Sequence, residues 1–173
     1  MKDNTKKLVM TALFAALACV ATMIIKIPTP GTGGYIHPGD AIVILSGIVL
    51  GPAYGLLAAG IGSAMADLLG GYFIYVPITF AIKGLIALCS AYAYRAAAHK
   101  SRAFAIAICG ILDMILVVGG YCICEIFLYG VPAALASVPA NLIQGAGGLI
   151  LTFVLYPVLT AIPEVKQMVS SHI

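Results

Sequence analysis

The chain has 173 residues, 62% of them hydrophobic and 9% charged, with a formal net charge of +3 and a mean hydropathy of +1.12. Soluble domains carry about 25% charged residues, so this composition excludes one and points to an all-α integral membrane protein forming a single domain over residues 1–173. The Lys and Arg fall in separate clusters with no aromatic-rich basic surface between them, which excludes a nucleic-acid partner. The first predicted span covers residues 8–27 and ends at Pro28 and Pro30, in a KIPTPGTGG segment whose Pro and Gly make a loop. Ala16-Leu17-Ala18-Cys19 is similar to a lipoprotein cleavage box, but apolar character continues to Ile27, so the segment reads as a span. Residues 40–50 follow, long enough for only about half the hydrocarbon; they are a short, broken span or the first arm of a re-entrant hairpin. Gly51-Pro52 breaks the chain, and the remaining spans are predicted at 53–69, 72–94, 103–129 and 139–159, the last with Ser137 as a cap.

Basic residues set the orientation. Lys2, Lys6 and Lys7 precede the first span, Arg95, Lys100 and Arg102 separate the fourth from the fifth, and Lys166 follows the sixth. The positive-inside rule makes all three places cytoplasmic, giving a six-transmembrane-helix bundle with both termini inside and surrounded by membrane lipid. The outward connections are then residues 28–38, 70–71 and 130–136, the first of them an expected lid. Cys19, Cys89, Cys109, Cys122 and Cys124 all lie in apolar runs, as small packing residues and not as disulfide or metal ligands. The small-residue rows Gly55/Ala59/Ser63 and Ala58/Gly62/Ala66 of the third segment are expected to pack helices.

Polar groups inside the membrane concentrate in its outer half. Tyr72, Tyr75, Thr79 and Lys83 fall at i, i+3, i+7 and i+11, a single stripe of the fourth segment that runs from the outer mouth to mid-depth. Pro77 is expected to interrupt that helix and free a carbonyl. His37 and Asp40 open the second segment, Asp67 closes the third, Tyr121 and Glu125 share a face near the outer end of the fifth, and Asn141 and Gln144 sit in the first turn of the sixth, where free N–H groups favour a ligand oxygen. This asymmetry predicts a binding cavity open to the outside. Other uses compete: Asp113 lies at the depth of Lys83 and is expected to pair with it, Asp40 is able to cap its helix, and Tyr72 and Tyr129 suit an interfacial belt. His99 and His172 fall in cytoplasmic segments and are expected to be solvated.

Residues His37, Gly39, Asp40, Leu50-Gly51-Pro52, Gly62-Ser63, Ala66-Asp67, Gly71-Tyr72 and Lys83-Gly84 recur together in one group of proteins. On them the chain resembles the substrate-binding membrane subunit, or S component, of an energy-coupling factor (ECF) vitamin transporter, in the subgroup that includes riboflavin-type and hydroxymethylpyrimidine- or pyridoxine-type members. The likeness covers the first four segments; the last two match only as apolar helices of suitable length. It implies a protein of the prokaryotic plasma membrane that takes a vitamin from outside and hands it to a partner module of one transmembrane coupling subunit and two ATPases. It also implies that Ala12 and Ala16, small residues spaced by four on the first helix, contact that coupling subunit.

No Gly-x-x-x-x-Gly-Lys-Ser/Thr stretch is present, so ATP is expected to be used by the partners and no cofactor by this chain. An intramembrane hydrolase built on Ser63 lacks a His at mid-depth to act as base, so no enzymatic activity is expected. A proton-coupled secondary transporter is the alternative, because Asp67, Lys83, Asp113 and Glu125 offer a relay. The expected ligand is small, flat and water-soluble, pyridoxine or hydroxymethylpyrimidine ahead of riboflavin, since the subgroup resemblance joins a site without Trp, the best surface for stacking a three-ring flavin.

Overall fold

In a hydrocarbon layer each backbone N–H and C=O must find its partner within the chain, so long apolar runs resolve into helices. The structure, a computed structural model, describes residues 2–29 and 31–171; Pro30 and His172 lie outside the described residues. Seven helices follow in order: α1 (Lys2–Ile24), α2 (Asp40–Leu50), α3 (Pro52–Gly70), α4 (Tyr75–Ala97), α5 (Arg102–Tyr129), α6 (Val131–Thr160) and α7 (Pro163–Ser170). Among the described residues five of them are long and apolar enough to cross a bilayer, and the short apolar α2 adds a sixth segment.

Close approaches between helices fix the direction of α2. Asp40 pairs with Lys83, and a Cβ on Gly47 would collide with the Ala87 carbonyl, so 40→47 and 83→87 run the same way. Because α4 runs inward to the basic connection at Arg95, α2 runs inward as well. Gly55 lies against Gly47, Gly60 against Phe80 and Gly84 against Leu56, which makes α3 antiparallel to both. Helix α3 has 19 residues, long enough to cross, and α2 packs against α7 beyond the inner end of α6, so the pair is a broken crossing followed by a full return and not a re-entrant hairpin. All of α2 is buried, packed by α1, α3, α4, α6 and α7, while its length covers only roughly 16 Å of the bilayer.

The outer half of that crossing is filled by irregular chain. The first span ends at Ile24, short of the expected Ile27, and β1 (Ile27–Pro28) pairs antiparallel with β2 (Tyr35–Ile36) in the register Ile27↔Ile36 and Pro28↔Tyr35. Thr29 N–H donates to Gly34 O at 3.1 Å, closing the turn. Three further boundaries differ from expectation. Helix α4 starts at Tyr75, leaving Tyr72 outside it and Pro77 in its first turn, where a missing N–H costs nothing and no carbonyl is freed. Helix α6 starts at Val131, so residues 131–136 are helical and Ser137 is no cap; Gly130, at φ +86°, makes the whole connection. Helix α7 was not foreseen: Val165, Met168 and Val169 form a buried face at i, i+3 and i+4 against the bundle.

Both small-residue rows of α3 are buried. A Cβ on Gly62 would run into the Ala15 carbonyl and lie 2.9 Å from the Ala18 Cβ, so α1 meets α3 through Ala15 and Ala18. Ala12 and Ala16 are on the opposite face and exposed.

Candidate functional site: a tyrosine- and carboxylate-lined cavity

Eight of the residues singled out for a site, His37, Asp67, Tyr75, Thr79, Tyr121, Glu125, Asn141 and Gln144, line one cavity, joined by Thr29, Gly34 and Tyr35 from the hairpin. The cavity is narrow, about 20 Å³ in volume. Thr29, Gly34, Tyr35 and His37 place the hairpin and the residues after it along one side of it. On one wall Tyr75 Oη donates to Glu125 Oε1 at 3.0 Å, and Ser137 Oγ donates to Glu125 Oε2. Asn141 Nδ2 reaches Ser137 Oγ at 3.5 Å. Thr79 Oγ1 and Tyr121 Oη are 3.0 Å apart. On the other wall Tyr35 Oη donates to Asp67 Oδ1 at 2.7 Å, and Asp67 Oδ2 is buried with no hydrogen-bond partner among the described residues. Burial, and next the Asp67 charge, push the Tyr35 hydroxyl up, so it stays a donor.

The other two, Asp40 and Lys83, do not line the cavity and lie beneath its floor. Both are fully buried and ion-paired. Gln144 ties this pair to the residues after the hairpin, its Nε2 donating to Asp40 Oδ2 at 2.8 Å while its Oε1 accepts the His37 N–H at 3.1 Å. Two expectations are corrected here. Lys83 pairs with Asp40 of α2 and not with Asp113 of α5, whose two carboxylate oxygens have no partner among the described residues. Residues 35–39 carry the chain down into the bundle and bring Asp40 to the level of Lys83, where Asp113 also lies, its Oδ2 and the Asp40 Cβ both facing Gly148. Asp40 also makes no capping bond. Asn141 and Gln144 lie well inside α6, so their side chains, not a helix terminus, face the cavity.

Sequence reasoning missed Thr29 and Gly34 as site residues, and it marked Tyr35, at the mouth of the apolar run, as a functional suspect without placing it in the cavity. Tyr35 packs its ring at 4.5 Å from that of Tyr72, and Lys26 Nζ sits 4.6 Å from the Tyr35 centroid and 5.1 Å from that of Tyr72. Tyr72 therefore joins a cluster at the mouth, and Tyr129 stacks on Tyr75 at 6.5 Å. His99 is exposed, as expected.

His37 Nδ1 accepts the Gly39 N–H at 3.0 Å, which needs a neutral ring. Burial pushes its pKa down to about 3; the Asp40 charge opposes this and those of Lys83 and Lys26 add to it. The unfolded chain takes up this proton near 6.5 and the folded protein near 3, so the contribution is whole above pH 6.5 and is lost as pH falls toward 3. The thermal midpoint is expected to fall between pH 6.5 and 4, and to fall less in His37→Gln; equal slopes would remove His37 from this role.

The sequence model of the family described as "ECF-type riboflavin transporter, S component" matches residues 2–161. An uncharacterised protein of Pyrococcus woesei is 31% identical over 76% of this chain and 86% of its own length. The thiamine precursor transporter HmpT of Lactococcus lactis subsp. cremoris is 27% identical over 90% and 89%. A solved S component of a bacterial ECF transporter superposes with a TM-score of 0.65 over 91% of this chain and 97% of that one, at 22% identity, a likeness of fold. The chain belongs to the ECF-type riboflavin transporter S components, non-enzymatic multi-pass proteins of the prokaryotic cell membrane that bind a vitamin for an importer.

Proposed function

We propose that this S component captures a single-ring vitamin or precursor bearing hydrogen-bond donors, hydroxymethylpyrimidine or pyridoxine ahead of riboflavin. The lining carries the reading. Asp67 and Glu125 present acceptors, three tyrosines offer ring faces, and the cation nearest the floor is already neutralised by Asp40. Such a wall favours an amino or hydroxymethyl group over an anion. The relative named as a thiamine precursor transporter supports the same order, whereas the family description names riboflavin. A calorimetric panel of vitamins on the detergent-purified protein tests it: stoichiometric binding of a pyrimidine or pyridine is expected, and tight binding of riboflavin alone would overturn the order.

Delivery would run through a transmembrane coupling subunit and two ATPases that use ATP, this chain itself holding no cofactor. Ala12 and Ala16 form a flat, exposed strip on α1 that lets another helix come close. Leu in either position adds bulk there without touching the cavity. Ala12→Leu and Ala16→Leu are expected to keep vitamin affinity in isolation, and to lose ATP-driven uptake and co-purification with the ATPases. Full uptake by both variants would remove the strip from docking.

A further inference from the structure

Helix α7 closes the cytoplasmic end of the bundle, and between it, the end of α6 and the start of α5 lies a second cavity of about 240 Å³. Two cations, Arg102 and Lys166, line it together with Tyr156, Thr160 and Ser170, the last two donating their hydroxyl protons to the Tyr156 and Lys166 carbonyls. Neither cation makes an ion pair or a hydrogen bond to a carboxylate among the described residues, and Glu164, the acidic residue nearest in sequence to Lys166, is not part of the lining. Beneath them the Tyr156 and Tyr94 hydroxyls are 2.5 Å apart, a buried polar base. Arg102 also opens α5, whose N-cap Ser101 makes no side-chain bond, so the positive end of that helix dipole is uncompensated at the same place.

We propose that this cavity binds the phosphodiester headgroup of an anionic membrane lipid in the cytoplasmic leaflet. The positive-inside rule explains why basic residues occur on this side, but not why two unpaired ones share a hydroxyl-lined recess. The surroundings select a lipid over a free anion. Val158 and Ile162, each next in sequence to a lining residue, are 61% and 45% exposed and give apolar surface beside the recess of the kind acyl chains cover. A basic recess between helices with apolar flanks on the cytoplasmic side matches the chemistry by which such headgroups are held. A basic recess of the same volume, about 240 Å³, lies at Lys6 and Lys7, but there Lys6 Nζ already donates to Gln167 Oε1 at 3.2 Å.

The test uses the full chain in detergent micelles, titrated separately with phosphatidylglycerol, phosphatidylcholine and inorganic phosphate, with the thermal midpoint and native mass spectrometry as readouts. Phosphatidylglycerol is expected to raise the midpoint more than phosphatidylcholine and to remain bound in the gas phase, and inorganic phosphate alone is expected to do neither. Arg102→Gln with Lys166→Gln should weaken phosphatidylglycerol about 30-fold, at about 1 kcal/mol for each cation, and leave vitamin affinity unchanged. The exposed single variant Lys166→Gln, which leaves every buried contact in place, should show an intermediate loss. Equal stabilisation by the two lipids, or equal retention of phosphatidylglycerol by parent and variants, overturns the site. An effect of inorganic phosphate equal to that of phosphatidylglycerol overturns the lipid as its ligand.

Discussion

Asp40→Ala is expected to be the most damaging single substitution in the protein. The Asp40 carboxylate accepts both the Lys83 ammonium and the Gln144 amide, and all three groups are buried. Its removal breaks a buried pair, a loss of about 3–5 kcal/mol when one partner is deleted, and leaves the ammonium only the neighbouring Asp113 carboxylate, which makes no bond to it in the folded protein. Lys83 and Asp40 join α4 to α2, a segment buried along its whole length, so the unpaired ammonium is left with no path to water. Thermal unfolding of purified protein should show a large drop in midpoint. Adding Lys83→Met should restore most of it, because an apolar pair of similar volume removes the desolvation cost. The double variant should still bind vitamin weakly, since Gln144 loses the acceptor that holds it between Asp40 and the His37 N–H. Asp113→Asn is the contrasting case: both Asp113 oxygens are unpartnered, so the neutral isostere should shift stability by less than about 1 kcal/mol. Equal damage from Asp40→Ala and Asp113→Asn would mean that the pair does not hold the fold.

How much of this was legible depended on periodicity and on depth, which sequence conveys unequally. The stripe Tyr75, Thr79 and Lys83 could be read because helical spacing alone puts these residues on one face, and all three are buried there. The partner of Lys83 could not be read the same way. Depth was counted along straight spans, which set Asp113 level with Lys83 and left Asp40 at the mouth, whereas the hairpin and the extended residues after it carry Asp40 inward. Tyr35 went unplaced for the same reason: its role follows from a strand pairing with residues 27–28 that has two residues on each side and no alternating pattern to announce it. Pro139 misled because proline usually marks a helix start in water, but a membrane helix tolerates it in the interior when its neighbours satisfy the freed carbonyl. Helix α7 carried a legible signal, apolar residues at 165, 168 and 169, hidden only by its polar composition.

Glu125→Gln is expected to cost the largest share of vitamin affinity for the least change in fold. Glu125 is 2% exposed, yet it lines the cavity and is held from two sides, by Tyr75 and by Ser137. Glutamine keeps the shape and the oxygen that faces Tyr75 and replaces the other acceptor with a donor, to which the Ser137 hydroxyl adapts by turning its proton away. Stability should therefore change by less than about 1 kcal/mol, while a ligand donor aimed at the carboxylate loses a charge-assisted bond of about 1.5–3 kcal/mol, or roughly 10- to 150-fold in affinity. Tyr75→Phe should weaken binding less, because Ser137 still orients the carboxylate. The two changes together should cost less than their sum if Tyr75 acts by positioning Glu125. The discriminating measurement is calorimetry of parent and Glu125→Gln with two ligands that differ only in one amino group on the ring. A loss confined to the amine-bearing ligand would locate the recognised group at Glu125, and unchanged affinity for both would move the acceptor to Asp67, whose free Oδ2 is the remaining carboxylate oxygen on the wall.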